Sequence, residues 1–150
     1  MSTAVATAAT PQTIDLVGMW RLVGVTFWKN GELRDPHGMG PEPAGYIAYT
    51  REGRVTVVLD RRSWLTQPAG RGQPPIFCYA GTYTREGAVV THHLEICTAL
   101  EHIGTDYVRV IEVQGDHLFL CTEPVEKNGS TSLSKLEWAP DRGAGSVSRE

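Results

Sequence analysis

An alternation of apolar and polar residues with a period of two runs from Leu16 to Trp138 and constrains this chain more than any other feature. Such alternation is typical of β-strands with one buried face, whereas helices need a period of about 3.6 that no segment here sustains. Only the short segment Asp60–Leu65 is a helix candidate. The alternation therefore predicts an all-β protein.

Short turns that each contain a glycine divide the alternation into hairpins, at residues 29–32, 51–53, 85–87, 114–116 and 127–130. Two of these turns contain an Asn-Gly pair, which favours a type I′ hairpin. About eight strands in sequence predict a single up-and-down antiparallel β-barrel, because closure leaves no exposed sheet edge. An open sandwich is the alternative. The predicted strands are Gly18–Trp28, Gly45–Thr50, Arg54–Leu59, Cys78–Thr84, Ala88–Cys97, Thr105–Val113, His117–Thr122 and Ser132–Trp138.

Two segments rich in glycine and proline, Arg34–Ala44 and Asp60–Phe77, interrupt the series of hairpins. Connectors of this length are usually lids or binding loops, and both join strands at the same end of the predicted barrel. Arg61, Arg62 and Arg71 make the second loop basic. It is either a solvated loop or a feature that attracts an acidic ligand to the mouth.

The length of 150 residues fits one domain with its own core. We expect a disordered leader over residues 1–13, the barrel over residues 14–139 and a flexible tail over residues 140–150. The formal net charge of −3 argues against nucleic acid as a partner. No apolar run approaches the length of a membrane span, so no membrane partner is expected.

Three cysteines, Cys78, Cys97 and Cys121, cannot all pair within one chain and lack the short spacing of zinc or redox motifs. We expect free thiols in a reducing compartment, and hence a cytoplasmic protein. The leader has neither the basic start nor the long apolar run of a secretory signal.

The alternation also predicts which side chains face the inside of the barrel. A turn centred on Glu52 places Ile47 and Tyr49 opposite Val57 and Val55. The last strand turns Ser134, Leu136 and Trp138 inward. Turns at Glu86-Gly87 and Gln114-Gly115 predict the inner pairs Tyr83–Val90, Gly81–His92, Tyr79–Leu94, Ile111–Leu118, Arg109–Leu120 and Tyr107–Thr122. Val90, His92, Leu94 and Ile96 then share the inner face, with Gly81 leaving room beside His92, and His93 points outward.

Among these inward residues, His92 and Arg109 are the candidates for chemistry. A neutral imidazole beside Tyr83 or Tyr79 can transfer a proton, and Arg109 can hold an enolate or carboxylate. The alternatives are a hydrogen-bonded pocket histidine and an arginine that is hydrated near the open end or closes the barrel over Trp20. The predicted catalytic residues are His92, Arg109 and Tyr83. The predicted ligand-binding residues are Trp20, Tyr49, Tyr79, Tyr107, Leu120, Trp138 and, in the first lid, His37.

The sequence resembles the bacterial and fungal lipocalin-like domain family. The resemblance begins at residues 16–23 (LVGMWRLV), which contain a Gly-x-Trp start, and continues in order through residues 45–50, 79–83 (YAGTY), 90–95 (VTHHLE) and 136–138. It implies a calycin-type barrel with a central cavity for a small molecule. It does not imply one activity, because such domains occur as binding proteins and as parts of biosynthetic pathways.

These observations predict a protein that binds a small apolar metabolite carrying a carbonyl or carboxylate group. We expect a cofactorless isomerase or cyclase (or dehydratase) of secondary metabolism, with a non-catalytic carrier as the alternative. No cofactor or metal is expected. A metal site from His92, His93, His102 and Glu95 is disfavoured because adjacent histidines on a strand face opposite sides.

The outer face of the predicted barrel carries an apolar ladder, Val108–Cys121 beside Val110–Phe119. Adjacent apolar pairs are unexpected on a solvent face. They indicate either a cover formed by the N-terminal leader or, as we favour, a homodimer contact.

Overall fold

Ten β-strands follow one another in the computed structural model, which describes residues 9–143. Three short 3₁₀-helices lie in the loops: Arg62–Thr66, Pro68–Gly70 and Leu100–His102. The first of them overlaps the predicted helix candidate. The strands are β1 Gly18–Lys29, β2 Glu32–Asp35, β3 Ala44–Tyr49, β4 Arg54–Asp60, β5 Ile76–Glu86, β6 Val89–Cys97, β7 Asp106–Gln114, β8 His117–Thr122, β9 Val125–Lys127 and β10 Ser130–Pro140.

Antiparallel pairing of β1 with β10 closes the sheet into a barrel, from Trp20 opposite Pro140 to Lys29 opposite Ser132. Eight strands form the ring in the order β1-β3-β4-β5-β6-β7-β8-β10. Each neighbour in this ring is the next long strand along the chain. The predicted eight-stranded up-and-down barrel is confirmed.

Two short strands lie outside the ring and were not predicted. The strand β2 pairs with the end of β1, and β9 pairs with the start of β10. Both hairpins turn at an Asn-Gly pair in which Asn and Gly have positive φ: 51° and 79° at Asn30-Gly31, and 53° and 79° at Asn128-Gly129. These are the angles of the predicted type I′ turn.

The β3–β4 hairpin has the predicted register, with Tyr49 opposite Val55 and Ile47 opposite Val57. In the β5–β6 and β7–β8 hairpins the inward faces are largely as predicted, but the partners differ by two residues. The inner pairs are Tyr83–His92, Gly81–Leu94, Arg109–Thr122, Ile111–Leu120 and Val113–Leu118.

The glycine's place in the turn explains this shift. Gly87 and Gly115, with φ of 58° and 62°, occupy the first position of a two-residue turn, and Ala88 and Asp116 occupy the second. A glycine in the first position is typical of a type II′ turn, whereas the prediction placed it second. Moving a two-residue turn by one position changes every pair by two residues, so each side chain keeps its face.

A β-bulge in the β5–β6 pair corrects a further prediction. The register shifts between Ala80 and Gly81, so that Ala80 lies opposite Ile96 and Tyr79 opposite Cys97. Beyond the bulge the inward and outward positions exchange. Ile96 is therefore 67% exposed, not inward as predicted, and Cys97 is buried.

The two ends of the barrel differ. At one end the connections are short turns, and the segment before β1 closes the opening with the buried side chains of Ile14 and Leu16. The indole of Trp20 donates a hydrogen bond to Leu16 O, at 2.9 Å, and Arg85 donates to the carbonyls of Ile14 and Pro11. The predicted leader included residues 9–13, and residues 10–14 form a hydrogen-bonded turn. The rest of the leader and most of the predicted tail fall outside the described residues.

The other end carries the long loops. Residues 36–43 and 61–75 correspond to the two predicted lids, and residues 98–105 form a third loop beside them. The first two loops contact each other, since Glu42 N donates to Ser63 Oγ at 3.1 Å. This end is the candidate entrance to the barrel.

The apolar ladder predicted on the outer face is not continuous. Val110 pairs with Cys121, and Phe119 pairs with Glu112 rather than with a valine. Cys121 is buried, and Lys135, its partner on β10, donates a hydrogen bond to Glu112 at 3.0 Å. Charged residues thus interrupt the surface that was expected to be apolar.

All three cysteines are free; Cys97 and Cys121 are buried and Cys78 is half-buried. None of the helices within residues 9–143 has the length and apolar character needed to cross a bilayer.

Gly81 allows β5 and β6 to approach closely at the bulge. A Cβ atom at this position would lie 1.8 Å from His93 O, so the room that the prediction gave to His92 is used by the neighbouring backbone. We expect Gly81→Ala to lower the free energy of unfolding by more than about 2 kcal/mol, because rigid backbone has to move. Urea denaturation measures this change.

The matched control is Gly24→Ala, because a Cβ atom at Gly24 meets no heavy atom within 4 Å. We expect this variant to change the free energy of unfolding by less than about 1 kcal/mol. Equal effects of the two substitutions would contradict the close approach at Gly81.

Candidate functional site

The centre of the barrel holds a histidine between two tyrosines. His92 Nε2 lies 2.6 Å from the hydroxyl of Tyr49, and His92 Nδ1 lies 2.7 Å from the hydroxyl of Tyr79. Alternation along β6 turns His92 inward, where it is 1% exposed, and the two tyrosines come from β3 and β5. The predicted inward orientation of His92 is confirmed, and both of its nitrogens are occupied by phenol groups.

Burial makes all three members of this cluster neutral. Burial is the largest cause of the fall in the pKa of His92 from 6.5 to about 3, and the charge of Arg109 and the neighbouring His93 contribute to the same shift. Burial also raises the pKa of Tyr49 and of Tyr79 well above the usual value for a phenol. At neutral pH the cluster therefore consists of an uncharged imidazole and two protonated tyrosines.

The cluster contains three hydrogens that can be donated, and its two hydrogen bonds use only two of them. A neutral imidazole has one N–H donor and one acceptor nitrogen, so it accepts from one hydroxyl and donates to the other. The hydroxyl that accepts from His92 keeps its own hydrogen free to donate elsewhere. Depending on the tautomer, this free donor belongs to Tyr79 or to Tyr49. The cluster thus offers an O–H group to a further acceptor.

Arg109 supplies the positive charge of the interior. Its side chain is half-buried on the inner face of β7, and its guanidinium carbon lies 4.9 Å from the centre of the Tyr107 ring. Its Nη1 donates to Val108 O at 3.1 Å, and within residues 9–143 it forms no ion pair. The charge acts on the cluster, because it lowers the pKa of His92, Tyr49 and Tyr79.

Tyr107 connects this interior to the loop-rich end. Its ring packs edge-on against Tyr79, with ring centres 5.0 Å apart, and its hydroxyl is hydrogen-bonded to Nδ1 of the exposed His102. Arg109 therefore lies beside Tyr107, on the side of the lids. Trp20 lies at the closed end with Leu16, which favours the alternative that placed Arg109 near the opening.

A cleft of about 340 Å³ lies at the mouth, beside His102, the hydrogen-bond partner of Tyr107. Arg61 lies between the rings of Trp64 and Phe77, 5.3 and 5.1 Å from their centres, and donates to Pro74 O at 2.9 Å. This stacking fixes the second lid against the start of β5. The residues lining the cleft are Arg61, Gln73, Pro74, Phe77, Ala99, Glu101 and His102.

His37 lies in a different cleft, of about 420 Å³, between the first and second lids. The side chain is exposed, and the cleft is also lined by Asp35, Gly40, Trp64 and Gln67. Gly40 permits the contact between the lids, since a Cβ atom there would lie 2.6 Å from Ser63 Oγ and Trp64 N. His37 therefore belongs to the lids and not to the inner wall.

The other predicted site residues are inward but not all adjacent to His92. The hydroxyl of Tyr83 donates to Thr50 O at 2.8 Å, near the closed end, so the second phenol on His92 is Tyr49. Leu120 is buried in the core. Trp138 is 1% exposed, and its indole N–H has no hydrogen-bond partner in the described part of the chain.

Two residues of the mouth, Phe77 and His102, were not predicted as site residues. The specific role of Arg61 was not predicted either. Arg61 was noticed as part of a basic loop, but its stacking on Phe77 joins residues 16 positions apart. The Tyr107–His102 contact depends on the conformation of residues 98–105. The alternation does not extend into these loops, so it carried no signal for either contact.

His93 faces outward, as predicted. Its Nδ1 lies 2.8 Å from Asp106 Oδ1 and its Nε2 lies 3.0 Å from Thr84 Oγ1. Within residues 9–143, no three metal-ligating side chains lie close enough together to hold an ion.

A family model described as a lipocalin-like domain matches residues 17–140 of this chain. No curated protein matches the sequence. No solved structure matches it either. The match spans the barrel from the start of the Gly-x-Trp segment to the end of β10.

The lowered pKa of His92 predicts a pH dependence of stability. Between pH 6.5 and about 3 the unfolded chain binds a proton at His92 that the folded protein does not bind. The free energy of unfolding therefore falls as the pH decreases through this range, by up to about 1.4 kcal/mol per pH unit from this residue. We expect a smaller pH dependence in His92→Gln, measured by urea denaturation at several pH values.

The matched control is His93→Gln, which replaces the neighbouring, outward histidine. Protonation of carboxylates affects both variants alike and cancels in the comparison. A pH dependence that is equal in the wild type and in His92→Gln would disprove that His92 is held neutral by burial.

Proposed function

Because the chain belongs to the family of lipocalin-like domains, whose barrel is suited to binding small molecules, we propose that it binds an apolar molecule inside the barrel. We propose further that a carbonyl or carboxylate oxygen of this molecule is recognised by Arg109 and Tyr79. The observation that carries the proposal is an inward guanidinium that has no ion pair within residues 9–143, beside a cluster that has a free O–H donor.

The apolar part of the ligand has its counterpart in the inner wall. The buried residues are mostly leucine, isoleucine, valine and aromatic residues contributed by the whole ring of strands. Binding sites of this kind combine an apolar lining with a few polar groups that fix orientation. The loop-rich end, with its cleft lined by Phe77 and His102, is the proposed entrance.

The oxygen of the ligand has its counterpart in two donors of different kinds. Arg109 is charged and has N–H groups beyond the one bonded to Val108 O. Tyr79 has a free hydroxyl hydrogen whenever His92 carries its proton on Nδ1. A carbonyl or carboxylate oxygen accepts from both groups, which fixes the polar end of the ligand near Tyr107.

Binding without catalysis is the function that the geometry favours. A general base needs a free lone pair and a pKa near the operating pH. Both nitrogens of His92 are engaged by tyrosines, and burial lowers its pKa to about 3. His92 is therefore suited to orienting Tyr79 and Tyr49 rather than to taking a proton from a substrate.

A cofactorless isomerase or cyclase is the second candidate. The specific observation in its favour is the continuous Tyr49–His92–Tyr79 hydrogen-bond chain, which can move protons between two hydroxyls. In this version Tyr79 passes its hydroxyl hydrogen to His92 as it takes a proton from a carbon of the substrate, and Arg109 holds the resulting enolate. The reverse transfer returns the proton to a different carbon. Tyr83, which is bonded to Thr50 O, has no part in it.

A cytoplasmic location and a homodimer are two further proposals. A cytoplasmic location is consistent with three free cysteines. A homodimer through the outer face near Val108, Val110 and Phe119 is the second proposal, although Cys121 is buried and does not belong to such a contact. Light scattering at high protein concentration tests it.

The oxygen-binding proposal predicts a preference between two ligands of equal shape. We expect acetylnaphthalene, a ketone, to bind about tenfold more tightly than ethylnaphthalene, which lacks the oxygen. A hydrogen bond from a charged donor is worth about this amount. Arg109→Met should abolish the preference. Quenching of tryptophan fluorescence measures both affinities.

The matched control is Arg54→Met, which removes an arginine from the outer face, where it is paired with Glu95 at 2.7 Å. This variant should keep the preference for the ketone. If neither compound binds, or if both variants lose the preference equally, the proposed binding site is wrong.

Carrier and isomerase differ in what happens to a natural ligand. The compound retained by the purified protein is identified by native mass spectrometry and returned to the protein as a pure isomer. A carrier releases it unchanged, whereas an isomerase converts it, which chromatography of the released compound detects. Conversion that persists in both His92→Ala and Arg109→Ala would contradict the proposed enzymatic site.

A further inference from the structure

The polar groups of the barrel interior are unequally divided between donors and acceptors. Two buried side-chain polar atoms in residues 9–143 have no hydrogen-bond partner, Trp138 Nε1 and Arg61 Nε, and both are N–H donors. The Tyr49–His92–Tyr79 cluster adds one free O–H. The guanidinium of Arg109 adds its remaining N–H groups. The interior and its mouth therefore hold a surplus of hydrogen-bond donors.

The charge of the interior is unbalanced in the same direction. Arg109 forms no ion pair with any carboxylate in the described residues, and it acts electrostatically on His92, Tyr49, Tyr79 and Tyr107. The tyrosines do not supply a compensating negative charge, because burial raises their pKa values. A half-buried cation without a partner is unfavourable, and an anion of suitable shape relieves this.

From this surplus of donors and this unpaired charge we infer that the barrel binds the conjugate base of a weak O–H acid, such as an enol or a phenol, in preference to its neutral form. This inference rests on the proposed function and names the chemical class of its ligand. The anionic oxygen lies against Arg109 and the hydroxyl of Tyr79. The apolar body of the ligand contacts the apolar residues of the inner wall.

The alternatives for the polar end of the ligand fit the site less well. An ammonium group brings three further donors and a second positive charge beside Arg109. A neutral ketone accepts hydrogen bonds but leaves the charge of Arg109 uncompensated. An oxyanion accepts up to three hydrogen bonds and also compensates the charge.

The groups that surround the proposed oxyanion are neutral or positive. Arg109 contacts the ring of Tyr107 on β7 and acts electrostatically on Tyr49 on β3, Tyr79 on β5 and His92 on β6. All four groups are uncharged at neutral pH. Glu101 is the carboxylate that acts on Tyr107 from the mouth. It is exposed, so solvent screens its repulsion of a bound anion.

The test uses para-nitrophenol, whose phenolate is yellow, and its methyl ether para-nitroanisole, which cannot ionise. Absorbance is followed during a pH titration with the protein in excess. We expect the pKa of the bound phenol to lie at least one unit below that of the free phenol, which corresponds to at least tenfold tighter binding of the phenolate. An unchanged or raised pKa overturns the inference.

The two variants of Arg109 identify the source of the shift. Arg109→Met should remove it, Arg109→Lys should keep part of it because the charge remains, and Arg54→Met should keep all of it. A shift that persists in Arg109→Met also overturns the inference. Because the wild-type titration is decisive by itself, a variant that fails to fold does not remove the test.

The controls separate this inference from the proposed function. If para-nitroanisole and the naphthyl ketone bind but the pKa of para-nitrophenol does not fall, the oxyanion inference fails and the proposed binding site stands. If none of these compounds binds, the proposed function fails and the inference fails with it.

Discussion

Closure of the sheet between β1 and β10 is the constraint on which the rest of the structure depends. A closed eight-stranded sheet has one inner surface, and every second residue of its strands has to be accommodated there. Most of these residues are apolar. The polar ones are removed from bulk water and have to satisfy one another. His92 does so through two tyrosines from other strands, and an imidazole thereby becomes a core residue.

The two ends of the barrel differ, so the interior has a closed end and an end that a ligand can enter. Ile14, Leu16 and the hydrogen bonds of Arg85 close one end, while three loops surround the other. Arg109 and Tyr107 lie toward the loops, so a ligand that enters there meets the guanidinium before it reaches the apolar floor near Trp20. The order of these contacts suits the proposed ligand, which has an apolar body and an oxygen at its trailing end.

The sequence predicts which side chains point into the barrel better than it predicts which residues pair across neighbouring strands. Period-two alternation turns His92 and Arg109 inward whichever pair of residues forms the turn, because a turn that moves by one position shifts the register by two. The register itself depended on whether Gly87 and Gly115 take the first or the second turn position, a choice that composition does not decide. The bulge beside Gly81 could not be predicted, because the contact that marks this position, the close approach of His93 O, comes from another strand.

The candidate site was predictable as a set of residue types but not as a set of contacts. Alternation identified an inward histidine, an inward arginine and several inward tyrosines, yet which phenols reach His92 depends on strand pairing and barrel curvature. Tyr83, next to His92 in the ladder, bonds to Thr50 O instead. A methionine could occupy the position of Arg109 without leaving a charge unpaired. An arginine there carries a charge that no carboxylate of residues 9–143 compensates, and this charge is available to the proposed ligand.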